Sequence, residues 1–214
     1  MKQLLYITVN SKSEEDSASK TVGRRLVNAI VEKDRDTEVH ELDLYQRHIP
    51  QLKGCYFESR SAIVNETARL KLSPEEQREV ADIEALCDQF RDADIYVVAA
   101  PMWSLSFPAP LKEYLDCVIQ SGKTIEFENK KPRGLLGNKH RVFLYVQSSG
   151  ASLPWIIRPA LNKGLNYVHE LTRFLGIDTF DELLVDGTGT TENERREAIE
   201  KAANEIERLV NRLF

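Results

Sequence analysis

Apolar positions along the chain change period several times, and each change marks an element. KQLLYITVN (2–10) is an apolar run rich in β-forming residues and predicts a first strand. SKSEEDSAS (11–19) is polar and serine-rich, and it leads into a helix on which Val22, Leu26, Ala29 and Ile30 recur at helical spacing. TEVHELDL (37–44) alternates, which predicts a second, more exposed strand. Residues 45–72 are longer than an ordinary connection and read as irregular or partly helical.

SPEEQREVADIEALCDQF (73–90) carries its own start signal. Ser73 caps a helix, Pro74 suits the first turn, Glu76 completes a capping box, and Val80, Ile83, Cys87 and Phe90 line the buried face. DIYVVAA (94–100) is apolar on both faces, as a central parallel strand must be. Pro110 suits the first turn of the helix PLKEYLDCVIQSG, which stops near Gly122, and KTIEFEN followed by KKPRG predicts a small excursion or hairpin. HRVFLYVQ (140–147) is a fourth strand, left through SSGASLP. A helix around 159–175 and a strand TFDELLV (179–185) follow. The last helix starts at Thr191 with a capping box to Glu194. It lays Ile199, Ala202, Ala203, Ile206, Leu209, Val210 and Leu213 on the sheet.

This alternation of strand and helix predicts a single α/β domain over 1–214. Its core is a doubly wound, five-stranded parallel sheet with helices on both faces, in the flavodoxin-like order 2-1-3-4-5. The chain has 214 residues, 42% hydrophobic and 29% charged, with a net charge of −5 and scattered Lys and Arg. That balance fits a globule and argues against nucleic acid or an anionic membrane as the main partner. Cys55, Cys87 and Cys117 show no metal-ligand spacing, and three sparse cysteines fit a reducing cytoplasm. The opening apolar run is too short for a signal peptide, and no stretch reaches the roughly 18 apolar residues of a membrane span. The expectation is a soluble, cytoplasmic protein.

In such a sheet a ligand sits beyond the carboxyl ends of the strands, where the strand order reverses. Three loops gather there. The first offers Ser11, Ser13, Ser17 and Ser19 ahead of a helix whose free N–H groups suit an anion, although Ser17 or Ser19 can equally be a plain cap. The second, PMWSLSFPAP (101–110), carries Met102 and Trp103 directly after the central strand. A soft sulfur and a flat indole suit a planar ring, and prolines 101, 108 and 110 stiffen the loop; the competing reading is cover for a sheet edge or a subunit interface. The third, QSSGAS (147–152), can present backbone N–H groups or be a simple turn. Together they make a phosphate clamp, an aromatic shelf and a donor strip, which is what flavin mononucleotide (FMN) requires. Other nucleotide motifs fail. SGKT (121–124) follows a helix and lacks the earlier P-loop glycine, DGTGT (186–190) lacks the third glycine of a dinucleotide fingerprint, and Val9-Asn10-Ser11 has no acidic cluster for a phosphoacceptor.

The serine loop, ELDLYQRHIP, PMWSLSFPAPLKEYLDCVIQSGKTIEF and KKPRGLLGNKHRVFLYVQSSG together resemble the FMN-dependent NADH:quinone oxidoreductases known as azoreductases, flavodoxin-like NAD(P)H–quinone reductases. The resemblance implies that Ser11, Ser17, Ala18 and Ser19 hold the FMN phosphate. It places Pro101, Met102, Trp103, Ser104 and Leu105 beside the isoalloxazine and ribityl chain, and Ser148, Ser149, Gly150 and Ala151 near the N1/O2 edge. It also implies a ping-pong reaction in which NADH or NADPH gives a hydride to flavin N5 and a quinone or azo compound takes both electrons. No side-chain acid or base is expected to be essential, and His40, His48, His140 and His169 fall on strands, helices or distal loops. A homodimer is implied, with Trp155 or residues 45–72 facing the partner. Two departures stand out: the family's usual Asn is Ser104 here, and its small-Arg-Gly-Gly run appears as Ser148-Ser149-Gly150-Ala151. They keep open a flavin-binding or flavin-free interaction protein without NADH-dependent turnover. An electron-carrier flavodoxin is disfavoured by the long loops.

Overall fold

The computed structural model describes every residue except Leu153 and Trp155, and of Arg158 and Pro159 the backbone alone. Strand β1 (Lys2–Thr8), helix α1 (Ala18–Lys33) and strand β2 (Thr37–Asp43) open the chain. A 3-10 turn (Gly54–Tyr56) leads to the small hairpin β3 (Phe57–Ser59) and β4 (Ala62–Ile63) and the one-turn helix α2 (Glu66–Arg69). Then come α3 (Pro74–Asp92), β5 (Ile95–Pro101), α4 (Ala109–Val118), a second hairpin of β6 (Ile125–Glu128) and β7 (Lys131–Gly134), and β8 (Val142–Ser149). The chain closes with α5 (Arg158–Leu161), α6 (Lys163–Leu175), β9 (Thr179–Asp186), α7 (Glu192–Ala203) and α8 (Ile206–Leu213).

Five strands form one parallel sheet in the order β2-β1-β5-β8-β9, the predicted 2-1-3-4-5. The two-residue period of the central strands divides the core. Tyr96, Val98 and Ala100 of β5 face α3, α4 and α6, while Ile95, Val97 and Ala99 face α1, α7 and α8. Every residue of β5 and β8 is buried, which explains their uninterrupted apolar runs. The expected α3 face is fully packed: Val80, Ile83, Cys87 and Phe90 are at most 1% exposed. Burying each such apolar side chain contributes roughly 1.5–3 kcal/mol, so this stripe fixes which face of α3 meets the sheet.

Three predicted helices end differently. The one expected to reach Gly122 stops at Val118, because Thr124 Oγ donates to the Val118 carbonyl at 2.6 Å and accepts from Gln120 N at 3.0 Å. SGKT is therefore a closed structural turn. The helix placed at 159–175 is two, split at Asn162, whose side chain caps α6 by accepting from Leu165 N. The last helix also breaks. Its apolar face runs on unbroken, but Asn204 and Glu205 leave the α7 spiral, and Glu205 N bonds back only three residues to Ala202. No helix among the described residues is long and apolar enough to cross a membrane.

Candidate functional site

A cleft of about 550 Å³ opens beyond the carboxyl ends of β1, β5 and β8. That size lies within the roughly 300–1,000 Å³ of small-molecule sites. Its first wall is the β1–α1 loop. Asn10, buried at the end of β1, accepts from Lys12 N through Oδ1 (3.0 Å) and donates from Nδ2 to Ser17 Oγ (2.9 Å). Ser17 is the α1 N-cap, and its Oγ also accepts from Lys20 N at 3.4 Å. With both acceptor positions used, its hydroxyl proton points either to Ser19 Oγ, 3.3 Å away, or into the cleft. Ala18 and Ser19 begin the helix, where backbone N–H groups have no intrahelical acceptor. The loop is tied down by Thr21 Oγ donating to the Glu14 carbonyl (2.7 Å) and by Lys20, which bonds both the Lys12 carbonyl (3.0 Å) and Asp43 (2.8 Å).

The second wall is the β5–α4 loop. Pro101 is buried, Met102 is half-buried and donates its N–H to Ser148 O at 2.7 Å, and Trp103 is 45% exposed on the cleft. Trp103 and Ser106 exchange two backbone hydrogen bonds, at 3.0 and 2.9 Å, around a tight turn. Both central residues, Ser104 (φ 50°) and Leu105 (φ 62°), are left-handed, as a two-residue hairpin turn of this kind demands. The turn is held by the start of α6, whose Lys163 N and Gly164 N both donate to Leu105 O (2.9 and 3.3 Å). Gly164 permits this approach: a Cβ there would lie 2.8 Å from the Ser106 carbonyl carbon.

The third wall follows β8. Ser148 and Ser149 are buried, and Ser149 Oγ donates between the Ala151 carbonyl (2.7 Å) and Asp186 (2.9 Å). Gly150 is exposed with nothing within 4 Å of where a Cβ would stand, so bare backbone faces the cleft. A fourth wall was not expected from the sequence. The β9–α7 turn is zipped to the third loop by Thr188 N to Ser149 O and Gly189 N to Gly150 O, both 3.0 Å. It lines the cleft with Thr188, Gly189, Thr190, Thr191 and Glu192, and Arg195 follows from α7. The left-handed Gly187 (φ 75°), in the DGTGT stretch set aside as a fingerprint, makes the turn.

Of the predicted site residues, Ser17, Ala18, Pro101, Met102, Trp103, Ser148, Ser149 and Gly150 line this one cleft. Ser104 and Leu105 shape the turn beside it, and Ala151 accepts from Ser149 just outside. Ser19 is fully buried beneath Ser17, and Ser11 is exposed towards a neighbouring hollow with Lys20 and Asp43. Trp155, expected at a partner interface, lies outside the described residues. Asn10, Lys12, Asp16 and the β9–α7 residues were missed. Only Asn10, ending the first apolar run, carried a signal, since a polar residue there must satisfy itself locally. None of the four histidines lines the cleft, and among the described residues no cluster could hold a metal.

The flavodoxin-like fold family matches residues 2–210. An FMN-dependent NADH:quinone oxidoreductase of Ruminiclostridium cellulolyticum is 68% identical over 213 residues, spanning 100% of both chains. One of Clostridium botulinum is 54% identical over 215 residues, again across 100% of both. Among solved structures, an FMN-dependent NADH-azoreductase from Bacillus anthracis in complex with FMN has a TM-score of 0.84, covering 100% of this chain and 99% of that one. At 22% identity that likeness shows the fold. The chain belongs to the flavodoxin-like fold family, together with these FMN-dependent NADH:quinone oxidoreductases.

Proposed function

We propose that the protein is an FMN-dependent oxidoreductase that passes two electrons from NADH or NADPH to quinones and reductively cleaves aromatic azo compounds. The observation that carries this reading is one cleft lined by the start of α1, by a half-exposed indole and by bare backbone at Gly150. The donor set fits FMN. Ser17 keeps a proton to give, α1 offers N–H groups and its positive end, and Gly150 leaves room for a flat ring to reach the main chain.

When bound, FMN supplies the centre that takes a hydride from the nicotinamide and gives two electrons to the acceptor. The chain's own residues bind and orient. Ser17 and the first turn of α1 would hold the phosphate. Met102 and Trp103, on a loop stiffened by Pro101 and Pro108 and braced by α6, would pack the ring and shield it from water. Backbone near Gly150 would donate to the pyrimidine edge, where negative charge gathers on reduction.

We further propose that 1–214 works as one domain in a cytoplasmic homodimer. Leu105 and Tyr167, on the loop and helix joined at the start of α6, are exposed large side chains, and such surface is normally covered. The test is anaerobic. Protein loaded with FMN should lose its visible flavin absorbance when NADH is added and regain it on mixing with a simple quinone. Flavin that stays oxidised under NADH would contradict the enzyme reading.

A further inference from the structure

Arg195 is an odd residue to find in the first turn of a helix, where the positive end of the dipole disfavours a cation. Its guanidinium nonetheless makes three hydrogen bonds. Nε and Nη2 donate to the two oxygens of Glu192 at 2.9 and 2.8 Å, and Nη1 donates to the Glu15 carbonyl. Glu15 lies in the β1–α1 loop, two residues before Ser17. The guanidinium therefore pins that loop to a helix 180 residues away in sequence. Three of its five N–H donors are used, and the other two have no partner among the described residues.

The charges around it make the arrangement informative. Asp16 and Glu192 line the same cleft as Ser17, with Lys12 and Arg195 as the cations. A phosphate monoester carries about −1.5 to −2 at neutral pH, so two carboxylates beside its anchor oppose it. Arg195 offsets both: Glu192 through the forked pair, and Asp16 through space.

We propose that Arg195 is a positioning residue for the phosphate end of the cofactor, and that it makes the cleft prefer a phosphorylated flavin over an unphosphorylated one. It does so by clasping the β1–α1 loop to α7 and by neutralising Glu192 and Asp16. The proposal rests on the FMN reading above and adds to it a residue outside the three loops at the strand ends.

The test is a fluorescence titration of the protein with FMN and with riboflavin at low and at high salt. Arg195→Ala should weaken FMN by about 10- to 30-fold at low salt, the size of a lost charge-assisted interaction. Riboflavin should change by no more than about twofold, and the FMN loss should shrink as salt screens the charges. Arg195→Lys should restore part of the preference, as a point charge without the fork. Glu192→Gln removes an opposing carboxylate and should tighten FMN alone. Equal weakening of both flavins by Arg195→Ala, or no weakening of FMN, overturns the proposal. If that variant does not fold, Arg195→Lys and Glu192→Gln decide, and an unchanged FMN-to-riboflavin ratio in both overturns it. Wild-type protein that binds FMN without preference overturns this proposal alone. Wild-type protein that binds neither flavin overturns the FMN reading itself, and this inference with it.

Discussion

Ser17 accepts two hydrogen bonds before any ligand arrives, from the Asn10 amide and from Lys20 N. Those bonds orient its oxygen and leave the proton as its remaining resource. Ser17→Ala should therefore weaken FMN by about 1–2 kcal/mol, roughly 5- to 30-fold, and also lower the melting temperature through loss of the helix cap. Ser19 is a useful control. The family resemblance implies the phosphate for both residues, but Ser19 is fully buried and its hydroxyl lies near Ser17. Ser19→Ala should cost less affinity than Ser17→Ala. Equal flavin retention in wild type and Ser17→Ala, read by fluorescence quenching, would remove the clamp.

The Trp103 loop shows how an element positions a side chain through another element. Its tip is left-handed at Ser104 and Leu105, and the α6 N–H groups hold it by the Leu105 carbonyl. Gly164→Ala should push Ser106 and the loop away from α6. The expected outcome is a melting temperature lower by several degrees and a turnover loss larger with bulky azo acceptors than with small quinones, because Trp103 moves with the loop. Unchanged kinetics with the lower melting temperature would show that the brace serves stability alone. Elements of this kind were unevenly legible in the sequence. Strands with an uninterrupted apolar run and helices with complete caps, such as β5 and α3, could be read directly, because burial on two faces and a capping box each leave a local pattern. The break at Asn204 could not, since the apolar face continues across it. Nor could the β9–α7 wall of the cleft. It sits at the edge of the sheet, away from the strand-order reversal, and reaches the site through long-range bonds, Thr188 and Gly189 donating to the Ser149 and Gly150 carbonyls and Ser149 Oγ donating to Asp186.

Across the whole molecule, ion pairs at the sheet strands and the segments leading into them shape its response to acid. Glu41 is held below the usual carboxylate range by the Arg24 guanidinium. Burial pushes Asp43 and Asp94 upward, but Lys20 and the Tyr45 N–H outweigh it at Asp43, and Lys139 and the Gln3 N–H outweigh it at Asp94. Carboxyls lowered by folding contribute stability that is complete above their unfolded values near pH 4 and is lost as pH falls through the lower folded ones. The melting temperature should thus be flat from about pH 7 to 5 and fall steeply below about 4, with Asp43→Asn flattening the fall. A melting temperature that rises on acidification through that window would contradict these pairings. The same sheet carries the four walls of the cleft on its carboxyl edge. The measurement that bears on it most directly is a crystal structure of the protein grown with FMN. The phosphate should lie at the first turn of α1, against Ser17 and Ala18, and the ring between Trp103 and Gly150. Flavin bound elsewhere, or a cleft closed over by the chain's own side chains, would contradict the site described above.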